Sequence, residues 1–291
     1  MTPVPGTLYV VATPIGNLED LSPRAARILG SVDAIAAEDT RVSRKLLAHL
    51  GTTRPLLSLH AHSSARKVDE LAERLAGGAS IALVTDAGAP GVSDPGDALV
   101  AAAVARGVLV VPVPGPSAVT TAVMASGLGA HGYRFVGFLP RTAGKRKKAL
   151  SALAGERAAI VAFEAPDRLA ALLGAAREVF GDERRGALCR ELTKLHEQIV
   201  HGTLATLCAA DVPARGEVTV VFAGAPPAKR SAPETAAGES PDRTVAELLG
   251  EALGEGLSVR DAADRVAAAA GRPRRDVYRV ALEVTRRREP R

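Results

Sequence analysis

The sequence predicts an α/β protein of two layered domains followed by a small all-α module, and three observations carry that reading. Short apolar runs alternate with helix-like stretches up to residue 224; three Gly/Pro-rich segments stand where a run ends and a helix begins; and a stretch of Pro, Ala and charge at 225–243 precedes three further helix signals. Such alternation predicts a mainly parallel sheet covered by helices. A length of 291 residues suits two or three units.

The first apolar run, 6–12, ends in Thr13-Pro14-Ile15-Gly16-Asn17, a buried strand opening into a tight loop. A helix over 21–29 starts with Ser22 as N-cap and Pro23 at its first position. A second strand is predicted over 32–37, after which Glu38-Asp39-Thr40-Arg41 leads into a helix through Leu50 that Gly51 ends. Strands over 81–85 and 108–113 alternate with helices near 65–76 and 96–106, completing an N-terminal domain over 6–126. In the second domain, 127–224, strands over 134–139 and 158–163 flank a basic loop at 141–148. A helix over 169–179, a strand over 186–190, a helix near 204–210 and a strand over 217–223 continue the pattern. Residues 225–243 have the composition of a flexible linker. Helices over 244–254, 258–270 and 273–288, with Thr244 and Ser258 as caps and Gly256 and Gly271 in the turns, predict a helix-turn-helix-like module over 244–291.

Composition narrows the function. No apolar run is long and charge-free enough to span a bilayer, and the first residues lack the layout of a signal peptide, so a cytosolic protein is expected. Cys189 and Cys208 form no CxxC, which predicts two buried thiols and neither a disulfide scaffold nor a zinc site. No HExxH occurs, and His49, His60 and His62 read as structural or solvated, so no metal is expected. The net charge is +5, and it is concentrated: residues 272–291 hold eight arginines against Asp276, Glu283 and Glu289, while Arg141, Lys145, Arg146, Lys147 and Lys148 form an acid-free cluster. Two basic patches suit a polyanionic partner.

Chemistry is expected at the strand-end loops. Thr85-Asp86-Ala87-Gly88-Ala89-Pro90-Gly91-Val92-Ser93-Asp94-Pro95-Gly96 and Pro112-Val113-Pro114-Gly115-Pro116-Ser117-Ala118 join Thr13–Asn17 on one rim. That rim is the carboxyl end of the sheet, where open α/β proteins bind small molecules. No GxxxxGK[ST] is present and no GxGxxG follows the first strand, which argues against phosphoryl transfer and nicotinamide chemistry.

The segments ATPIGNLEDLS (12–22), AEDTRVSRKLL (37–47), TDAGAPGVSDPG (85–96), PGPSAVTTA (114–122), FVGFLPR (135–141), FEAPDR (163–168) and RELTKLHEQ (190–198) resemble, in the same order, the ribosomal RNA small subunit methyltransferase I family of the tetrapyrrole-methylase-like superfamily. Residues 244–291 resemble the tail that many members carry. Ala89, Phe163 and Asp167 depart from the commoner Thr, Tyr and His. The resemblance implies a two-domain class III methyltransferase fold with S-adenosylmethionine in the cleft, a homodimer, and 2′-O-methylation of a cytidine in the decoding region of 16S rRNA. Carried over by motif, Asp86, Ala87, Gly88, Ala89, Ser117 and Ala118 should line the cleft over Pro14 and Ile15, closed by Phe163, Glu164, Leu192 and Thr193. A ribose hydroxyl is a poor nucleophile while protonated and needs a base or a strong dipole. Glu38, Asp39, Arg41 and Lys194 are the catalytic candidates, with Arg190 and Glu191 beside the last. Arg141, Lys145, Arg146, Lys147, Lys148, Arg274 and Arg275 are the expected RNA contacts. A tetrapyrrole-type methylase and a non-enzymatic nucleic-acid-binding protein remain the alternatives, because fold alone does not fix a substrate.

Overall fold

The computed structural model describes residues 4–92, 96–226 and 245–288, without the side chains of 286–288. The predicted linker, apart from its first two residues, and the caps at Thr244 and Ser93-Asp94-Pro95 of the third motif lie outside the described residues. The chain divides into two compact units, 1–229 and 230–291.

The first unit begins with a five-stranded sheet in the order β3-β2-β4-β1-β5. Its strands are β1 (Thr7–Val11), β2 (Ala34–Ala37), β3 (Leu56–Ser58), β4 (Ile81–Val84) and β5 (Leu109–Val113), all paired in parallel. Parallel strands have helices on both faces and so read as continuous apolar runs; β2 and β4 are buried at every position. One face packs Tyr9, Val11, Leu29, Ile35 and Leu47; the other packs Leu8, Leu71, Leu75, Leu83 and Leu99. The covering helices are α1 (Pro23–Leu29), α2 (Thr40–His49), α3 (Ala65–Ala76) and α4 (Asp97–Ala105), while α5 (Ala118–Ser126) packs against the second sheet. Ser22 caps α1 by accepting from Ala25 N–H, and Ser64 caps α3 by accepting from Lys67 N–H. The three-residue β3 was not among the predicted strands.

A second sheet follows, in the order β6-β7-β10-β8-β9. It contains β6 (Tyr133–Phe138), β7 (Ala159–Glu164), β8 (Arg185–Arg190), β9 (Gln198–Thr203) and β10 (Val218–Phe222). Here the expected continuation of the parallel pattern fails: only β6 and β7 run parallel. β8 passes to β9 through a short loop with no crossover helix, which leaves only an antiparallel pairing open to them. The basic segment is also not a loop. Lys145 to Lys148 lie within α6 (Ala143–Ala152), since Lys, Arg and Ala are strong helix formers that need no apolar stripe to propagate. With α7 (Leu169–Phe180) and α8 (Leu204–Cys208) it covers one face around Leu150, Leu172, Leu204 and Phe222. Against the other face, Ile15 and Val119 from the first half pack with Val161, Cys189, Leu192 and Val221. Cys208, expected to be buried, is exposed.

Among its described residues the second unit has three helices, α9 (Val245–Gly254), α10 (Val259–Ala270) and α11 (Arg274–Arg288), around Leu249, Ala262, Val266, Val277 and Ala281. Ser258 caps α10, and Gly271 ends it in the left-handed region. No helix among the described residues is long and apolar enough to cross a membrane.

Candidate active site

The loops after β1, β4 and β5 converge because those strands are neighbours pointing the same way. Thr13 and Gly88 fasten two of them through reciprocal backbone bonds of 2.9 and 3.0 Å. Facing them are the ends of β6 and β7 and the start of β10, and between lies a cavity of about 370 Å³, a size usual for small-ligand sites.

One wall of this cavity is Ala87, Gly88, Ala89, Val92, Ser117 and Ala118; the other is Phe138, Phe163, Glu164, Ala165, Pro166 and Gly216 to Thr219. Seven of the residues expected at the cofactor are thus brought together: Ala87, Gly88, Ala89, Ser117, Ala118, Phe163 and Glu164. The rest stand aside. Pro14 and Asp86 line a smaller neighbouring cavity of about 180 Å³ with Lys45 and Thr85. Ile15 and Leu192 are buried in the apolar cluster that also holds Ala118 and Phe163. Sequence reasoning missed Phe138, Ala165 and Pro166 although they sit inside quoted motifs, and it had no motif at all for Gly216 to Thr219.

Glu164 is the charged group of greatest consequence here. Its side chain is fully buried; Oε1 accepts from Ala165 N–H at 2.8 Å and pairs with Arg168, while Oε2 is buried with no partner. A buried carboxylate oxygen without a donor is costly, and a ligand rich in N–H, O–H or positive charge supplies what it lacks. S-adenosylmethionine, with an ammonium, ribose hydroxyls and a sulfonium, fits that requirement. Ser117 precedes α5 without a capping bond, so the free N–H groups of that helix start stand at the cavity edge.

The catalytic candidates form two charged groups. In the first, Asp39 caps α2 and is gripped by Arg41, with Nη2 2.6 Å from Oδ2. Those bonds hold the Asp39 carboxyl down to about 2. Glu38 beside it is pushed up, by partial burial first and by the Asp86 charge second. Asp39 N–H donates to Asp86 Oδ1 at 2.9 Å, which ties the group to the residue before Ala87. In the second group, Lys194 Nζ lies 2.8 Å from Glu191 and 3.1 Å from Glu217. Burial would lower the lysine, but the two carboxylates outweigh it and the ammonium is held above its ordinary range. Lys194 therefore stays charged, an ammonium paired with Glu217 of the cavity wall rather than a proton acceptor. Its stem crosses Gly16, where any Cβ would overlap Lys194 Cγ. Glu191 and Thr193 adopt positive φ of 51° and 66°, a strained conformation of the sort found near functional sites. The buried Arg190 braces this loop through Arg215 O at 2.8 Å.

The expected RNA contacts divide. Arg141, Lys145 and Lys148 are exposed, and Lys147 pairs with Glu178 at 2.9 Å. Arg146 contradicts its assignment: it is 6% exposed and donates to Arg141 O at 3.3 Å, because the helix turns it inward. In the second unit Arg275 is exposed, while Arg274 pairs with Asp264 and Arg279 with Asp276. No cluster of three or more His, Cys, Asp or Glu able to hold a metal occurs among the described residues.

Comparison with known proteins identifies the family. Residues 7–208 match the family described as Tetrapyrrole (Corrin/Porphyrin) Methylases, and residues 238–284 match the RsmI C-terminal HTH domain. Curated proteins named Ribosomal RNA small subunit methyltransferase I are 45% identical in Xylella fastidiosa (strain Temecula1), over 94% of this chain and 98% of that one, and 43% identical in Mycobacterium bovis, over 97% and 96%. Among solved structures, the methyltransferase CobJ superposes with a TM-score of 0.58 at 19% identity, covering 76% of this chain and 95% of that one. Diphthine synthase gives 0.57 at 16%, covering 75% and 90%, and both likenesses show the fold. A converging set of strand-end loops, a cavity of cofactor size and relatives matched over nearly their whole length lead to one assignment: the chain belongs to the ribosomal RNA small subunit methyltransferase I family, S-adenosylmethionine-dependent enzymes with the tetrapyrrole-methylase fold.

Proposed function

We propose that this protein transfers a methyl group to the ribose 2′-hydroxyl of a cytidine in the decoding region of 16S rRNA, acting on the small ribosomal subunit in the cytoplasm as a homodimer. The observation that carries the reading is the cavity in which the motif residues Ala87 to Ala89 and Ser117-Ala118 face Phe163 and Glu164, whose Oε2 has no partner. When bound there, S-adenosylmethionine supplies an electrophilic methyl on a positively charged sulfur.

The chain's own residues do the rest. Ala87, Gly88, Ala89 and Ala118 are small enough to leave a slot, Phe163 closes it with an apolar ring, and Glu164 Oε2 accepts from a hydroxyl or ammonium of the cofactor. Ser117 and Ala118 offer the free N–H groups of a helix start to its carboxylate. Glu38 is the proton acceptor best suited to the ribose hydroxyl, since its raised pKa brings it nearer to the working pH, where general bases are most effective. Asp39, locked low by Arg41, is a poor base and serves to position that group. Lys194, held as an ammonium, stabilises negative charge developing on the oxygen.

Arg141, Lys145 and Lys148, together with Arg275 of the second unit, provide sequence-independent contacts to phosphates. The test is mass mapping of methylated nucleotides in 16S rRNA from cells with and without the gene. A single 2′-O-methylcytidine in the decoding region that vanishes with the gene and returns with a plasmid copy is the expected result; an unchanged map sinks the proposal. The tetrapyrrole alternative has the fold neighbours in its favour but leaves the exposed basic residues unexplained.

A further inference from the structure

The end of β6 carries an irregularity that a cofactor slot alone does not require. Phe135 stands opposite Val161 of β7, yet Phe138 stands opposite Phe163, so one extra residue is inserted between them. Gly137 absorbs it at φ 63°, a conformation that other residues adopt only with strain. In a regular strand, residues three apart face opposite sides of the sheet. The bulge instead brings Phe135 and Phe138 to the same ring, Phe163, edge-on with centroids 4.8 and 5.7 Å away. Bulges re-aim side chains in this way beside active sites.

The re-aimed ring is not buried. Phe138 remains 58% exposed and forms a wall shared by the cofactor cavity and a second cavity bounded by Leu139, Pro140 and Ala165, with Arg141, Arg168 and Asp167 at its rim. The rim itself carries two arginines and one carboxylate. Arg168 is also the partner of Glu164, so one ion pair connects the charged floor of the cofactor cavity with the rim of its neighbour.

We propose that this second cavity is the acceptor-nucleotide subsite: a base of single-stranded RNA stacks on Phe138, a phosphate beside it lies against Arg141 and Arg168, and the ribose hydroxyl is thereby presented to the cofactor cavity. The inference rests on the RNA methylation reading above. Unstacked bases of single-stranded RNA are held on aromatic rings, and positive side chains take up the backbone.

The test uses the full chain, with methyl transfer from tritiated S-adenosylmethionine to small ribosomal subunits lacking the modification, and calorimetry for the cofactor. Phe138→Leu keeps an apolar wall but removes the stacking face, and it should raise KM for the subunits about tenfold, by a larger factor than it changes the cofactor Kd. Phe138→Tyr should restore most of the loss. Arg141→Gln should raise KM several-fold and flatten its salt dependence by about one phosphate contact. An unchanged KM for Phe138→Leu overturns the subsite, and so does a variant whose cofactor Kd rises while KM holds, because the ring then belongs to the cofactor slot alone. A wild-type enzyme that leaves the subunits unmethylated refutes the RNA reading itself, so the two failures are separable.

Discussion

The two walls of the cofactor cavity are built by opposite means. On the side of the parallel sheet the wall is loop backbone and small residues, Ala87, Gly88, Ala89, Ser117 and Ala118, with no charged side chain among them. On the side of the mixed sheet it is large or charged side chains at strand ends, Phe138, Phe163, Glu164 and Glu217. The first wall works by leaving space, and its loops hold their place because backbone bonds such as Thr13 to Gly88 fasten them together. The second works by supplying contacts, which strands keep rigid enough to be specific. Shape comes from one half of the unit and polarity from the other.

Filling the first wall should do the most damage. Ala89→Phe places a ring in the slot and is expected to remove S-adenosylmethionine binding altogether, a loss of about a hundredfold or more in affinity. Titration calorimetry measures it, and an unchanged circular dichroism spectrum shows that the fold survives. Wild-type affinity in a folded Ala89→Phe protein would displace the site from this wall.

Changing charge but not shape on the second wall should do less. Glu164→Gln is expected to lower cofactor affinity about tenfold, the scale of one charge-assisted hydrogen bond. It should also destabilise the protein by about 3 kcal/mol, because Arg168 is left largely buried without its counter-charge. A urea midpoint and a cofactor affinity both equal to wild type would remove Glu164 from the account.

The smallest effect belongs to Asp39, which lines neither wall. Its carboxyl is depressed to about 2 from the ordinary 3.8, so the folded state binds its proton less readily than the unfolded chain does. The stability this contributes is complete above about pH 4 and is lost as pH falls from there toward 2. Asp39→Asn should therefore weaken the protein slightly at neutral pH and flatten its loss of stability over that interval. An acid unfolding curve parallel to the wild-type curve across that range would show that the pair with Arg41 does not form in solution.

The same contrast explains what could be read from the sequence. The first wall was legible because its Gly/Pro segments directly follow apolar strands and precede helices, all local signals. β3 was not, since three residues, Leu56–Ser58, are too few to show a period. Phe163 and Glu164 came only through the family resemblance. Gly216 to Thr219 were invisible, because they reach the cavity through the antiparallel pairing of Val218 with Glu164 and Arg190. Pairing between distant segments leaves no trace in local pattern. Arg146 was misread for the opposite reason: a run of basic residues looks solvent-facing until a helix turns one of them inward.

The position of β1 bears on how the protein is made. Leu8 lies opposite both Ile81 and Val110, so of the five strands of its sheet the first to be made is the one flanked by the last two. At the usual ~5–20 residues per second, it waits about 5–20 seconds for them. The cavity takes longer still, since Thr219 in its wall is supplied only near the end of the first unit. S-adenosylmethionine therefore stabilises no partly synthesised chain, and its binding favours only the completed fold.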